Sequence, residues 1–537
     1  MQNLTVQKLI IGLIVAGFFI LAPWMTSEIL DGNALPFLSL LGVGILLLFL
    51  FVLKDRCWMV IPFSLPIEGR LNFLPLNFSM QETAVMAVVA YIFIQIIMGR
   101  QISWRLGPKV IWVPLAGLLC ILLYHWISSG DIGIRALGGS GWGARKYVSI
   151  LLAVITMPIL MSFSGASWKD FQKIPLIYFF GTFVDLIPEL VSTAIPQASP
   201  YMFRVYSTVN LGAYGSTIVG NFEGGDSVVR FGTFRALGQA MVLVVISYFP
   251  FYVWLNPNRL WITPALILAF LATAFAGYRS AVFNYAALLF AGLYATGRSK
   301  VLLLLPLGVG VALMIAATQG SLFEYPRSVQ RALCFLPGQW AATVSQEAEN
   351  SSKWRDRIRE LFFLEYFKKA PWLGTGYGFD PEIAKKTTEL FLRIAALKEN
   401  DEWADVRSYI DMKQPHEGDI HALVVSGALG AGFFILFCLA SVVFALRSVL
   451  KYKPQDLSPV QIWSLALLVQ QSFSFFAVFG DYVETLTVMC PVVIILAASE
   501  KLRPTGAWEA DPTTSQPAPF IPSHLSPRPT AFRLQHQ

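Results

Sequence analysis

The chain has 537 residues, of which 55 % are hydrophobic and only 14 % are charged, and its mean hydropathy is +0.59. A soluble protein of this length carries far more charge, and the apolar residues here fall in runs near the ~20 residues that cross a bilayer as a helix. The composition therefore excludes a soluble enzyme. It predicts an all-α polytopic integral membrane protein rather than a β-barrel, whose strands are short and alternate in hydrophobicity.

The apolar runs predict about 12–14 transmembrane helices. A shorter run, 57–66, contains two prolines and is interpreted as a broken or re-entrant span. The other predicted helices cover 8–25, 35–53, 80–98, 109–127, 146–162, 174–194, 236–256, 260–277, 280–296, 301–318, 420–446, 460–479 and 484–498.

The charge of the short loops predicts the orientation. Every second connection is basic, as in 53–56, 99–109, 167–173, 256–259, 296–300 and 446–453. Because cytoplasmic loops collect Lys and Arg, these loops and the N-terminus are assigned to the cytoplasm. This rule also accounts for the net charge of +7 without a nucleic-acid partner.

Four parts of the chain follow from this assignment. They are an N-terminal transmembrane bundle (1–318), an extracytoplasmic, periplasmic loop domain (319–419), C-terminal transmembrane helices (420–500) and a Pro-, Ser- and Thr-rich cytoplasmic tail predicted to be disordered (501–537). Two amphipathic faces are predicted in the loop domain, against the membrane domain or the outer leaflet. One is formed by Trp354, Ile358, Leu361 and Phe362, and the other by Leu390, Phe391, Ile394 and Leu397.

Two of the five histidines, His416 and His421, stand where the extracytoplasmic loop enters an apolar helix. An unperturbed histidine titrates near pH ~6.5 and can accept a proton at neutral pH, so His416 is a candidate general base and His421 a secondary candidate. The alternative interpretation is that either histidine is a polar residue that caps the helix. A spacing of five does not put two ligands on one helix face, which disfavours a metal site.

Arginines lie on the same predicted side of the membrane. Arg279 begins a span in "AGYRSAVFNY", and Arg230 and Arg235 precede another in "VVRFGTFRALGQ". The guanidinium fork suits phosphate oxygens, and for Arg279 anion binding is favoured over a side chain that merely snorkels to water. The stretch with Arg230 and Arg235, taken alone, is better interpreted as a surface loop with ordinary charge. Together with His416, these arginines predict a pocket for a diphosphate anchored in the outer leaflet.

The sequence resembles the O-antigen ligase and O-antigen polymerase superfamily of membrane glycosyltransferases. His416, followed after ten residues by Gly427 and then by Gly430, matches its histidine-to-glycine signature in "PHEGDIHALVVSGALG". "APWLGTGYGFD", "GYRSAVFNY" and "RFGTFRALGQA" resemble three further family segments, in the family's order. The chain departs from the pattern at Glu417, Tyr278 and Arg235–Leu237.

The resemblance implies a GT-C-like, inverting glycosyltransferase of the bacterial inner membrane that needs no metal or other cofactor. The donor would be a glycan on undecaprenyl diphosphate, and the acceptor a glycan or lipid A-core, with membrane lipids and other polysaccharide assembly proteins as further partners. His416 would be the base, and Arg279 and Arg230, with Arg235, would bind the diphosphate. The glycines 427, 430 and 432 are expected to admit a neighbouring helix, and the glycines 374, 376 and 378 to form a turn.

Two alternatives stay open at this point. A ligase and a polymerase are not separable from the residues. A transporter or flippase for a lipid-linked sugar is the rival class, because Asp185 and Glu189 lie within an apolar span, and intramembrane acids mark substrate or proton pathways.

Overall fold

The computed structural model describes residues 52–71, 78–100, 102, 104–128, 144–163, 166–195, 197, 202, 206–207, 231–254, 257–298, 305–378, 402–411, 413 and 415–504. Several predictions lie outside these residues: the helix at 8–25, all but the end of the helix at 35–53, Arg230, the amphipathic face that begins at Leu390, and the tail beyond 504.

The membrane part is built from ten helices, nine of which match the predicted apolar runs to within about four residues; the run predicted at 236–256 instead forms a helix that begins at Gly232 and ends at Tyr248. They are α1 (Met80–Ile97), α2 (Lys109–Ser128), α3 (Ala144–Ser162), α4 (Ile174–Ala194), α5 (Gly232–Tyr248), α6 (Ile262–Phe275), α7 (Arg279–Gly297), and, after the loop region, Gly418–Leu450, Pro459–Ala477 and Tyr482–Leu502. Arg235, expected just before a span, lies instead in the first turn of α5.

The chain between α7 and Gly418 forms four more helices. These are α8 (Leu305–Thr318), α9 (Arg327–Leu333), α10 (Ala342–Leu361) and α11 (Glu402–Asp411). The helices Gly418–Leu450, Pro459–Ala477 and Tyr482–Leu502 are therefore numbered α12, α13 and α14. The Pro-containing run at 57–66 forms a 3-10 turn (Lys54–Met59) followed by a single helical turn (Val60–Ser64). A two-stranded antiparallel ladder pairs β1 (Arg70–Leu71) with β2 (Tyr206–Ser207), with Arg70 opposite Ser207.

Eight of the described helices are long and apolar enough to cross a membrane, which supports a multi-pass, all-α membrane protein. They are α1, α2, α3, α4, α7, α12, α13 and α14, whereas α5 and α6 are shorter apolar helices. Side chains such as Phe93, Val113, Leu271 and Leu439 are exposed on these helices. Exposed apolar faces of this kind are what a lipid solvent requires.

Contacts between helix ends divide the bundle into two sides. At one end, which the charge rule assigns to the cytoplasm, Arg100 pairs with Asp55 at 2.5 Å and Arg298 donates to the carbonyl of Tyr452 at 2.8 Å. At the other end, the first turn of α3 pairs with the start of α1 and with the residue before α14, through Arg145–Glu82 at 2.5 Å and Lys146–Asp481 at 2.7 Å. The helices α1, α3, α5, α7, α12 and α14 all begin on this second side.

Helix α12 is broken at Gly427, where a loop segment enters the gap. Gly427 has φ +61° and ψ −170°, a conformation in which only glycine is unstrained. The segment 371–376 supplies the missing hydrogen bonds. The N–H groups of Thr375 and Gly376 donate to the carbonyls of Val424 and Val425, and the N–H groups of Ala428 and Leu429 donate to those of Pro371 and Trp372.

The expected roles of the glycines are partly confirmed. Gly374 and Gly376 have φ of +72° and +67°, as a turn that needs glycine requires. A Cβ on Gly427 would lie 2.3 Å from the carbonyl carbon of Trp372, so the close neighbour there is a loop backbone rather than a helix. At Gly432 the expectation is wrong, because nothing lies within 4 Å of the place of a Cβ.

Two small apolar clusters fasten the loop region onto the bundle. The predicted face of α10 is confirmed: Ile358, Leu361 and Phe362 are buried, and Trp354 packs beside them. Their partners are Val406 and Ile410 of α11 and Ile420 and Val424 of α12. A second cluster joins α9 to Ala274 and Val282 of the bundle. Helix α10 therefore crosses the mouth of the bundle on the side where the six helices begin.

Candidate functional site

His416 lies two residues before α12 in a strained backbone conformation. Its φ is +57°, which is uncommon for a residue with a Cβ, and such strain clusters at functional sites. The rings of Trp354, Tyr409 and Phe479 surround the imidazole, with centroid distances of 5.8, 5.2 and 5.4 Å. The half-buried imidazole is thus oriented by aromatic packing.

The surroundings of His416 keep the imidazole neutral. Burial lowers its pKa below the usual 6.5, and the positive charges of Arg355 and Lys146 lower it further. A histidine with a lowered pKa is unprotonated at neutral pH, so it can accept a proton from a hydroxyl group.

Arg279 joins the bundle to the loop helix that crosses it. As the first residue of α7, it donates from Nη2 to the carbonyl of Ala348 in α10 at 3.1 Å. Trp354, whose ring contacts His416, follows six residues later in α10. At 1.5 Å per residue, the contacts of Arg279 and His416 are about 9 Å apart along this helix. The structure thus brings these two predicted residues against the same helix, and the region bordered by Arg279, α10 and His416 is called the cleft below.

Arg355 is a third basic residue of the cleft, and the sequence analysis missed it. It lies two turns after Ala348 on the same face of α10, half-buried, within electrostatic range of both Arg279 and His416. Burial and Arg279 lower its pKa, while Glu417 opposes them. Among the described residues, neither Arg279 nor Arg355 forms an ion pair with a carboxylate.

Glu417, which follows His416 in the chain, forms an ion pair. Glu417 is buried at the N-terminus of α12, and its Oε2 lies 2.9 Å from Nε of Arg359. Burial raises the pKa of Glu417, whereas Arg359 lowers it. The same arginine lies 3.8 Å from Asp419. Arg359 thus contacts both acids at the start of α12, and the three guanidinium groups of Arg279, Arg355 and Arg359 exceed these two carboxylates by one positive charge.

Arg235 lies on a different wall of the cleft and is already paired. Its guanidinium forms a salt bridge with Glu68 and lies 5.7 Å from the centre of the Tyr278 ring, next to Arg279 in the chain. Arg230, the other arginine of this stretch, is outside the described residues.

His421 belongs to a buried network below the cleft. Its Nε2 lies 3.1 Å from the hydroxyl of Tyr377 and 3.7 Å from Asp481, and its side chain is 1 % exposed. Burial alone would raise the pKa of Asp481, but Lys146 and His421 together lower it to about 2. The Asp481 carboxylate is therefore charged, and it ties Lys146 to the base of the cleft at 2.7 Å.

The two acids that raised the transporter alternative have partners within the fold. Asp185 accepts hydrogen bonds from the backbone N–H of Glu68 at 2.7 Å and from the hydroxyl of Tyr206. Glu189 accepts from the backbone N–H of Thr233 at the start of α5, at 3.3 Å. Both carboxylates therefore hold chain segments together near the ends of helices.

Some of this site could have been found from the sequence, and some could not. Arg355 adjoins Trp354, which marked the apolar face of α10, so an arginine at the border of that face was a detectable signal. Lys146 and Asp481 stand at the starts of predicted spans, but nothing local indicates that they pair across 335 residues. Searches against models of known protein families and against curated proteins find no match for this chain.

Proposed function

We propose that this chain is a membrane glycosyltransferase of the O-antigen ligase and polymerase type, with a GT-C-like architecture. It transfers or polymerises a glycan from an undecaprenyl-diphosphate donor on the extracytoplasmic face of the bacterial inner membrane. One observation carries the proposal: helix α10 brings Arg279 and Arg355 close to the neutral imidazole of His416, and among the described residues neither guanidinium forms an ion pair with a carboxylate.

The chemistry is a single displacement. The acceptor hydroxyl oxygen attacks the anomeric carbon of the donor glycan, and its proton passes to the imidazole of His416. The bond between the anomeric carbon and the diphosphate oxygen breaks, and undecaprenyl diphosphate departs with the electron pair. One displacement inverts the anomeric configuration. Fixed cations that meet the growing charge of a leaving group stabilise such a transition state in a partly dry site.

The residues divide into groups that touch substrate and groups that position them. Arg279 and Arg355 bind the diphosphate, and their two positive charges oppose most of the negative charge of the departing group, so the proposed reaction uses no metal. His421, buried and hydrogen-bonded to Tyr377, is a positioning residue. Arg235, which the sequence analysis assigned to the diphosphate, has its charge balanced by Glu68 and is a weaker candidate for that role.

The transporter alternative receives less support from the same residues. Asp185 and Glu189 are the intramembrane acids that suggested it, and both accept hydrogen bonds from the protein's own backbone.

The proposal is tested with purified protein, a lipid-diphosphate oligosaccharide donor and no divalent metal. We expect His416→Ala to bind the donor but to transfer no glycan, because the acceptor hydroxyl then lacks its base. Arg279→Ala and Arg355→Ala should each lower kcat by about 10²–10³-fold, as loss of one transition-state donor does elsewhere. Arg105→Ala, which removes an exposed arginine far from the cleft, is the matched control. Undiminished transfer by His416→Ala would refute the assignment of the base.

A further inference from the structure

The chain between α11 and α12 holds two residues in the left-handed region of backbone conformation. They are Lys413, with φ +56°, and His416, with φ +57°. Both carry a Cβ, and residues of this kind keep such a conformation only where the surrounding contacts impose it. Aromatic rings pack around His416, whereas Lys413 is held by a polar contact from a distant part of the chain.

The break in α12 provides the acceptor on which that contact depends. In an unbroken helix the carbonyl of Val424 would accept from the N–H of Ala428, but here that N–H donates to the carbonyl of Pro371. The carbonyl of Val424 accepts instead from Thr375, from its backbone N–H at 2.8 Å and from its hydroxyl at 3.1 Å. The hydroxyl hydrogen of Thr375 is thereby committed to Val424, and its oxygen remains an acceptor.

Lys413 donates to this oxygen, since its Nζ lies 2.7 Å from Oγ1 of Thr375. A hydrogen bond from an ammonium group is stronger than one between neutral groups. Tyr377, which follows the segment inserted in the break, has its hydroxyl 3.1 Å from Nε2 of His421. Residues 375 and 377 therefore hold the chain on both sides of His416, three residues before it and five residues after it.

We infer that Lys413 is a positioning residue for the general base, and that its hydrogen bond to Thr375 keeps the imidazole of His416 packed among the aromatic rings. The inference rests on the proposed function, in which His416 takes the proton of the acceptor hydroxyl. A displacement of about 1 Å in a reacting group can lower the rate by about 10²-fold. Loss of the Lys413–Thr375 bond should therefore lower kcat, whereas donor binding, which is assigned to Arg279 and Arg355, should change little.

The place of His416 is measured without substrate, by nuclear magnetic resonance of protein labelled in its histidine rings. The chain has five histidines, and the His416 signal is the one lost in His416→Gln. Burial is the largest cause of the lowered pKa of His416, with Arg355 and Lys146 as the further causes. A displaced imidazole is more exposed to water, so its pKa should rise toward 6.5.

Thr375→Val is the decisive variant, because it removes the acceptor oxygen while keeping the backbone N–H and changing no charge. We expect it to raise the pKa of His416, and Thr375→Ser, which keeps the hydroxyl, to retain the wild-type value. Lys413→Met should also raise this pKa, and the double variant with Thr375→Val should raise it no further. Lys353→Met, which removes an exposed lysine of α10, is the matched control and should leave the pKa unchanged.

The same variants are then assayed for glycan transfer. Lys413→Met and Thr375→Val should each lower kcat by about 10²-fold and leave the KM for the donor within about twofold. If Thr375→Val leaves the pKa of His416 unchanged, or if Thr375→Ser behaves like Thr375→Val, the inference is wrong while the proposed function stands. If the wild type transfers no glycan, the proposed function fails, and the pKa values alone decide whether Lys413 positions His416.

Discussion

The break in α12 gives a prediction whose size follows from the structure. Gly427→Ala adds a Cβ at φ +61° and ψ −170°, 2.3 Å from the carbonyl carbon and 2.4 Å from the carbonyl oxygen of Trp372. Both neighbours are backbone atoms, so the loop segment has to move. Four backbone hydrogen bonds hold that segment in the break. At a net 0.5–1.5 kcal/mol each, their loss would lower the free energy of unfolding by about 2–6 kcal/mol.

The control is a glycine in the same helix. Gly432→Ala adds a Cβ with nothing within 4 Å, in a helix interior where alanine is favoured by roughly 0.5–1 kcal/mol. The two variants are compared by chemical unfolding in mixed micelles, together with the transfer assay. Displacement of the segment also moves Tyr377 away from His421, so Gly427→Ala should lose transfer activity as well. Equal stability of the two variants would refute the account of the helix break.

Three further predictions concern charge. Because the pKa of His416 is lowered, kcat/KM should fall on the acid side with a midpoint below pH 6.5, and a midpoint above 6.5 in the wild type would contradict this assignment. Arg355→Met removes one cause of the lowered pKa and should move the midpoint upward. Arg145→Met leaves the Glu82 carboxylate buried without its cation and should lower the free energy of unfolding by about 3–5 kcal/mol, whereas a double variant that also carries Glu82→Met should lose less. A membrane-impermeant maleimide added to intact cells should label Lys353→Cys in α10 but not Lys451→Cys after α12, and the reverse result would overturn the orientation.

Much of the architecture could be read from the sequence because bilayer solvation acts locally. An apolar run near 20 residues has few options other than a helix, so the ends of α1, α2, α4 and α13 were predicted to within about two residues. The buried face of α10 followed from its 3.6-residue period for the same reason, since a helix shows its partner-facing side in its own sequence.

The candidate site depended on contacts that no local pattern carries. His416 was recognised from its rarity and its place at the mouth of a helix, and Arg279 from its place at the start of one. Helix α10 brings these two residues together. Its path across the bundle is set by packing against α11 and α12 and by the hydrogen bond from Arg279 to the carbonyl of Ala348.

The sequence by itself indicated which segments are long and apolar enough to cross a membrane, because hydrophobic length is a property of short stretches. Only the tertiary structure decided how the charges are distributed. Arg235 loses its free charge to Glu68, whereas Arg355 forms no ion pair among the described residues. The physical reason is that a charged side chain attracts a ligand only to the extent that its partners in the protein do not neutralise its charge. Those partners come from distant parts of the chain.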